Sequence, residues 1–211
     1  MRLTVNLFVT QDGVYQSPGA REEDPRDGFE FGGWLPPHVD DDFNRIVGGW
    51  FEHTEAMLLG RYTYDVMAAH WPNVTDPDDE GAALLNTVPK YLVSSTTSGA
   101  DWANTTVLST DPIERIRELK AQPGCELQVH GSGALARSLH DAGLVDEFRL
   151  LVFPVVVGAG KRLFGEGAAP SAFELAHTEA TGSGVVYQVL RPIPFRAGGI
   201  VIEDGREVLT D

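Results

Sequence analysis

Leu3, Val5, Leu7 and Val9 alternate with Arg2, Thr4, Asn6 and Phe8. That period of two predicts a strand over Leu3–Val9. The pattern then lapses from Thr10 to about His38, a loop rich in Gly, Pro and acid that carries Phe29, Phe31 and Trp34. Loops of this length in compact domains are usually functional or disordered, and the aromatics favour function. Phe43, Val47, Trp50 and Phe51 recur at helical spacing and predict a helix over Asp40–His53, with Asp40–Asp42 suited to its N-terminus. Further along, short apolar runs predict strands at Ala56–Leu59, Lys90–Ser95, Thr106–Leu108 and Glu126–Val129. Helices are predicted at Arg61–Ala69, at Ala82–Asn86, after Asp111, and at Ser132–Ala142. Asp111-Pro112-Ile113-Glu114 reads as a cap, a first-turn proline and a capping box.

Strand and helix therefore alternate up to Gly143, the pattern of a parallel sheet covered on both faces. After Gly143 only strands follow, at Glu147–Val157, Phe173–Ala180 and Val185–Arg191, with Gly182-Ser183-Gly184 as a hairpin turn. The expected architecture is a three-layer α/β domain over residues 1–194, mostly parallel and closing in an antiparallel hairpin. Residues 195–211 are expected to form an extension, either as an edge strand at Gly199–Glu203 or as a loose tail.

Bulk properties narrow the function more than the fold. The formal net charge of the 211 residues is −15, which disfavours nucleic acid and anionic membranes as partners. No apolar run is long enough to span a membrane, and the N-terminus lacks a secretory signal pattern. One cysteine, Cys125, excludes an intrachain disulfide. Together these lead us to expect a cytoplasmic protein. The histidines show neither His-Glu-x-x-His nor a nearby cysteine partner, so no metal site is expected. The zinc deaminase signature and the Gly-x-Ser-x-Gly elbow are also absent.

Two segments carry candidate chemistry. Met57-Leu-Leu-Gly60-Arg61-Tyr-Thr63-Tyr64 and Leu127-Gln-Val-His130-Gly131-Ser132-Gly133-Ala134-Leu135 each run from an apolar strand through glycine into a helix. A helix start presents unpaired N–H groups and the positive end of a dipole, which suits a phosphate. Two such junctions, with Arg61 beside the first, point to a dinucleotide. The alternative for each junction taken singly is a plain strand-to-helix turn.

These segments occur in order with Thr10-Gln11-Asp12-Gly13, Lys90-Tyr-Leu-Val-Ser94-Ser95, Ala142-Gly-Leu144-Val-Asp146-Glu147-Phe-Arg149-Leu and Pro154-Val-Val-Val-Gly158-Ala-Gly160-Lys161-Arg162-Leu-Phe164. As an ordered set they resemble the dihydrofolate reductase-like superfamily. Within it they are most similar to the reductase (RibD C-terminal) domain of riboflavin biosynthesis, over about residues 3 to 191. The resemblance implies a dihydrofolate reductase-like fold and NADPH as cofactor. Arg61 would then take the 2′-phosphate, with Ser94 and Ser95 adding donors. Gly60, Thr63, Gly131, Ser132, Gly133, Ala134 and Leu135 would line the pyrophosphate, while Val9 and Thr10 would border the nicotinamide. Asp12 and Asp40 are the candidate catalytic acids, with Asp41 or Asp42 as alternatives to Asp40. Trp34, Gly160, Lys161 and Arg162 are candidates for the substrate, the last two for a phosphate on it. His130 reads as a packed strand-end residue.

The implied activity is hydride transfer to a small pyrimidine- or pteridine-like heterocycle. Alternatives are the 5-amino-6-(5-phosphoribosylamino)uracil reductase step itself, a nucleotide-binding protein without turnover, or use of a flavin. Thr10-Gln11-Asp12-Gly13 departs from the more usual Ser-Leu-Asp-Gly. Related domains are often homodimers, and the late antiparallel strands are the expected contact.

Overall fold

A computed structural model describes residues 1–97 and 99–210. Its parallel strands are β1 (Arg2–Thr10), β2 (Thr54–Gly60), β3 (Lys90–Val93), β4 (Thr105–Leu108), β5 (Glu126–His130) and β6 (Glu147–Phe153). The helices between them are α1 (Asp41–Phe51), α2 (Arg61–His70), α3 (Glu80–Thr87), α4 (Pro112–Lys120) and α5 (Gly133–Asp141). Antiparallel β7 (Ala172–Ala180) and β8 (Val186–Ile193) complete an eight-stranded sheet of order β4-β3-β2-β5-β1-β6-β8-β7. The expected three-layer, mostly parallel architecture is present.

Burial explains the layering. β1 lies mid-sheet and its odd residues Leu3, Val5, Leu7 and Val9 pack against Ile116 and Leu119 of α4 and Leu135 and Leu139 of α5. On the opposite face, Phe43, Ile46 and Trp50 of α1 pack against Leu151, Phe153 and Tyr187. Beside them Tyr64 of α2 and Leu85 of α3 cover Met57, Leu59 and Leu92. Each fully buried leucine or phenylalanine contributes about 1.5–3 kcal/mol.

Under α1 the even positions form a buried polar stripe of Thr4, Asn6, Gln128 and His130. The Gln128 amide donates to the Trp50 carbonyl at 2.6 Å, and its Oε1 accepts from Asn6 at 3.0 Å. Oε1 also lies 2.7 Å from His130 Nε2, so that nitrogen carries the proton. Burial, with Arg149 nearby, pushes His130 down to about 4 and keeps it neutral. Its ring stacks on Phe51 at 5.2 Å, the packed role expected of it.

Three expectations need correction. Asp111 precedes α4 in a left-handed conformation (φ 44°) without a side-chain cap, and Glu114 pairs with Arg117 rather than closing a capping box. β6 stops at Phe153 rather than Val157. Pro154 has no N–H to give, and the Val155 N–H turns back onto Phe153 at 2.7 Å. Gly199–Glu203 does form a strand, β9, but it does not join the main sheet. It pairs with β10 (Arg206–Thr210) as a separate two-stranded ribbon. Asp211 lies outside the described residues.

Candidate active site

The carboxyl ends of β2 and β5 are neighbours in the sheet, with Leu58 opposite Val129. The order of strand addition reverses here, since β2 leads outward to β3 while β5, parallel to it, leads back across β1 to β6. Ligands of open α/β sheets bind at such a switch point. The two glycine junctions meet there directly. The Gly60 N–H donates to Ser132 Oγ at 2.8 Å, and the Ser132 N–H donates to Thr63 Oγ1 at 3.0 Å. Ser132 holds a left-handed backbone (φ 52°) to make this reciprocal contact. Gly131 is also left-handed (φ 60°), and a Cβ there would press on the Thr63 methyl at 3.2 Å.

Among the described residues, α2, α4 and α5 begin without a side-chain cap, whereas Asp40 caps α1 and Asp79 caps α3, and of the uncapped three α2 and α5 adjoin each other through Gly60 and Ser132. The first-turn N–H groups of two adjoining helices are thus left for a ligand. Arg61, half-exposed, opens the first of them. Its Nε is held by both carboxylate oxygens of Asp65 at 2.7 and 2.9 Å. That grip occupies Nε and restrains the plane of the guanidinium, and Arg61 lines a cavity of about 510 Å³ together with Tyr64 and Trp102. Ser94 is buried at the end of β3 and contacts Thr96, while Ser95 is exposed next to it.

Other residues named from sequence have different employment. Val9 and Leu135 point into the core, so only their backbones border the crevice. Ala134 is exposed in the first turn of α5. Gly133 makes room for protein, since a Cβ there would lie 2.4 Å from the Tyr15 ring. Gly160 likewise makes room for Phe29 and Val14. Trp34 is buried against Phe153 and donates to the Gln16 carbonyl at 3.0 Å, so it is a core residue rather than a substrate contact.

Both candidate acids are fully engaged as acceptors. Asp12 receives the Thr10 hydroxyl at 2.6 Å, the Gly158 N–H at 2.9 Å and Arg162 at 3.1 Å. Burial would raise its pKa, but the bonds from Thr10, Gly158 and Val157 outweigh that and bring it down to about 2. Asp40 accepts from the Phe43 N–H at 2.8 Å and the Ser183 N–H at 2.8 Å, capping α1 and clipping it to the β7–β8 turn. The Phe43 bond, with that from Ser183, lowers its pKa as well. Neither is in the state of a proton donor near neutral pH.

Lys161 and Arg162 are neither solvated charges nor free phosphate ligands. Lys161 reaches buried Asp24 at 3.1 Å, and Arg162 pairs with Asp12. Arg26 forks onto Asp24 at 2.6 and 2.7 Å and lies 3.7 Å over the Tyr62 ring. The Gln16 amide donates to the carbonyls of Asp24 and Arg26, and the Tyr62 hydroxyl to that of Glu23. The long loop is therefore an ordered strap across β1, α2 and the β6–β7 connection. Sequence reasoning missed Tyr15, Gln16 and Asp24, which match no motif.

An uncharacterised protein of Bacillus subtilis (strain 168), YyaP, is 31% identical over 192 residues, covering 88% of this chain and 92% of its own. A solved structure from Shewanella sp. PV-4, described as a candidate riboflavin biosynthesis protein, superposes with a TM-score of 0.67 at 19% identity, over 92% of this chain and all of the other. Dihydrofolate reductase from Enterococcus faecalis, solved with NADP(H) and RAB-propyl, gives 0.57 at 13% identity, over 90% and 96%. The sequence profile of the RibD C-terminal domain matches residues 2–187, and with the paired glycine junctions at the sheet's switch point this shows that the chain belongs to the RibD C-terminal domain family.

Proposed function

We propose that this protein is an NADPH-dependent reductase acting on a small pyrimidine- or pteridine-like heterocycle. The observation that carries the reading is the pair of uncapped helix starts joined through Gly60, Ser132 and Thr63. The arrangement suits a diphosphate, because fixed N–H groups and two helix dipoles converge on one place. The NADP(H) held by the structurally similar dihydrofolate reductase supports the same reading.

NADPH, when bound, supplies the hydride, and the chain's own residues supply placement. The first turns of α2 and α5 would hold the diphosphate, and Arg61 would read the 2′-phosphate. Asp12 and Asp40 stay ionised and act through structure, so the proton that accompanies reduction is delivered by another group or by water. Lys161 and Arg162 are already paired with Asp24 and Asp12, so neither of these two cations is free for a ribose phosphate. This favours an unphosphorylated heterocycle over the phosphoribosylamino uracil.

Fluorescence or calorimetric titration with NADPH tests the cofactor. Binding at micromolar levels is expected, and none at millimolar levels refutes the reading. Loss of reduced-nicotinamide absorbance across a panel of dihydropterins and aminopyrimidines, with and without a ribose phosphate, then tests the substrate class.

A further inference from the structure

His130 ends β5 at its carboxyl edge, one residue before Gly131. Its ring lies on the α1 face of the sheet, 5.2 Å from Phe51 and 6.3 Å from Trp50. Asn6 is its partner in register on β1. The next residue of β1 on that face is Phe8, half-buried and stacked on Trp50 at 5.6 Å. The carboxyl edge of β1 and β5 therefore carries an aromatic lip of Phe8, Phe51 and His130, on the same edge as the glycine junctions.

The tautomer of His130 is dictated from below. Buried Arg149 donates to both oxygens of Glu126 at 2.7 and 3.0 Å. The Gln128 amide donates to the same carboxylate at 2.7 Å and to the Trp50 carbonyl at 2.6 Å. Two acceptors fix the amide nitrogen on that side, so its oxygen faces His130 Nε2 and takes the proton of that nitrogen. Nδ1 is left with its lone pair, and among the described residues it has no partner. It is not sealed off either, since the sealed side-chain atoms without a partner among those residues are Thr4 Oγ1 and Asn6 Oδ1. Burial keeps the ring neutral. His130 is 9% exposed, and a chain of buried polar groups thus presents one bare, neutral acceptor of fixed tautomer at the edge. A buried acceptor left unpaired costs stability, which a ligand donor would offset.

We infer that Nδ1 of His130 selects the substrate, accepting a hydrogen bond from an amino group or ring N–H on the edge of a planar heterocycle laid against Phe8 and Phe51. This rests on the reductase reading, which puts the substrate at this edge, and it adds a requirement. A ring whose edge offers no N–H leaves Nδ1 unpaired and is rejected. His130 supplies orientation and selectivity rather than a proton, because its one N–H is committed to Gln128.

2-Aminopyrimidine and 2-methylpyrimidine, alike in shape and different in the N–H, are the probes. Calorimetric titration at millimolar probe, with and without NADPH, is expected to show the amine binding about tenfold more tightly. Nitrogen NMR of the unsubstituted protein gives a readout that needs no variant to fold. The Nδ1 resonance is expected to move towards the protonated range with the amine and to stay in place with the methyl compound. His130→Phe keeps a ring against Phe51 and removes Nδ1. With its far-ultraviolet spectrum unchanged, it is expected to bind the two probes equally. No binding of the amine, equal binding of both probes by the unsubstituted protein, an Nδ1 resonance unmoved by the amine, or a preference retained in His130→Phe overturns the inference. Failure of the cofactor reading shows separately, as NADPH that does not bind in the same calorimeter, while the probes still decide the role of His130.

Discussion

Asp12 is ionised because its oxygens are already spoken for by Thr10, Gly158 and Arg162. Asp12→Asn should therefore lower stability by about 2 kcal/mol, through the lost ion pair and charge-assisted bonds. It should leave the pH dependence of turnover unshifted. Denaturant melts and a pH–rate profile separate these effects, and loss of the limb on which the rate falls with rising pH would restore Asp12 as a proton donor. Arg61 makes a different prediction. Asp65 holds its Nε and leaves the rest of the guanidinium to a ligand, so Arg61→Ala should cut the preference for NADPH over NADH about tenfold or more. Asp65→Asn should erode the same ratio less, by freeing the guanidinium to turn. Parallel titrations with both cofactors read these ratios, and an unchanged ratio in Arg61→Ala would remove that residue from 2′-phosphate recognition.

At the scale of elements, the start of α5 is set by a neighbour that sequence does not announce. Tyr15 lies across Gly133 so closely that a methyl group would meet its ring at 2.4 Å. Gly133→Ala should destabilise by roughly 1–3 kcal/mol, and Tyr15→Ala should relieve much of that cost in the double variant. Thermal unfolding of the four proteins in that cycle measures the coupling, and additive costs would show that the two do not press on each other. The junction itself was legible because its signal is local: an apolar run, a glycine, then helical spacing at Met57–Tyr64 and Leu127–Leu135. The strands under it were legible for the same reason, to within one to four residues of their ends. What escaped was pairing across long stretches of chain. Lys161 finds Asp24 137 residues away, and Arg162 finds Asp12 at 150. No spacing rule connects such pairs, so Lys161 and Arg162 looked available until the fold brought their acids to them. Trp34 was misread in the same way, because an aromatic in a loop looks like a contact until the core beneath it is known.

For the whole molecule, stability should respond to acid in two stages. His130 is depressed to about 4 from an ordinary value of 6.5, so the unfolded chain takes up its proton first. The stabilisation from keeping it neutral is complete above pH 6.5 and is lost as pH falls towards 4, by about 3 kcal/mol at most. Asp12 and Asp24 are both depressed to about 2, Asp24 because Arg26 and Lys161 overcome the effect of burial. Their contribution is complete above pH 4 and is lost as pH falls towards 2. Unfolding free energy measured from pH 8 to pH 3 should decline from near 6.5 and steepen below 4. His130→Gln, which keeps a side-chain amide beside Gln128, should flatten the upper stage alone. A flat profile between pH 7 and 5 in the parent protein would contradict the first stage.

The strap of residues 10–38 also decides how a visitor reaches the groove. It is riveted at Asp12 to Arg162, at Asp24 to Lys161 and at Glu23 to Tyr62, so this bank is a fixed jamb rather than a swinging door. Across from it lie exposed Arg61, Ser95 and Thr96, which among the described residues make no side-chain bond to the strap, although Tyr62 beside Arg61 does. A ligand taken up there is expected to exchange over that rim, so substitutions at Ser95 and Thr96 should change its on- and off-rates more than substitutions in the riveted bank do.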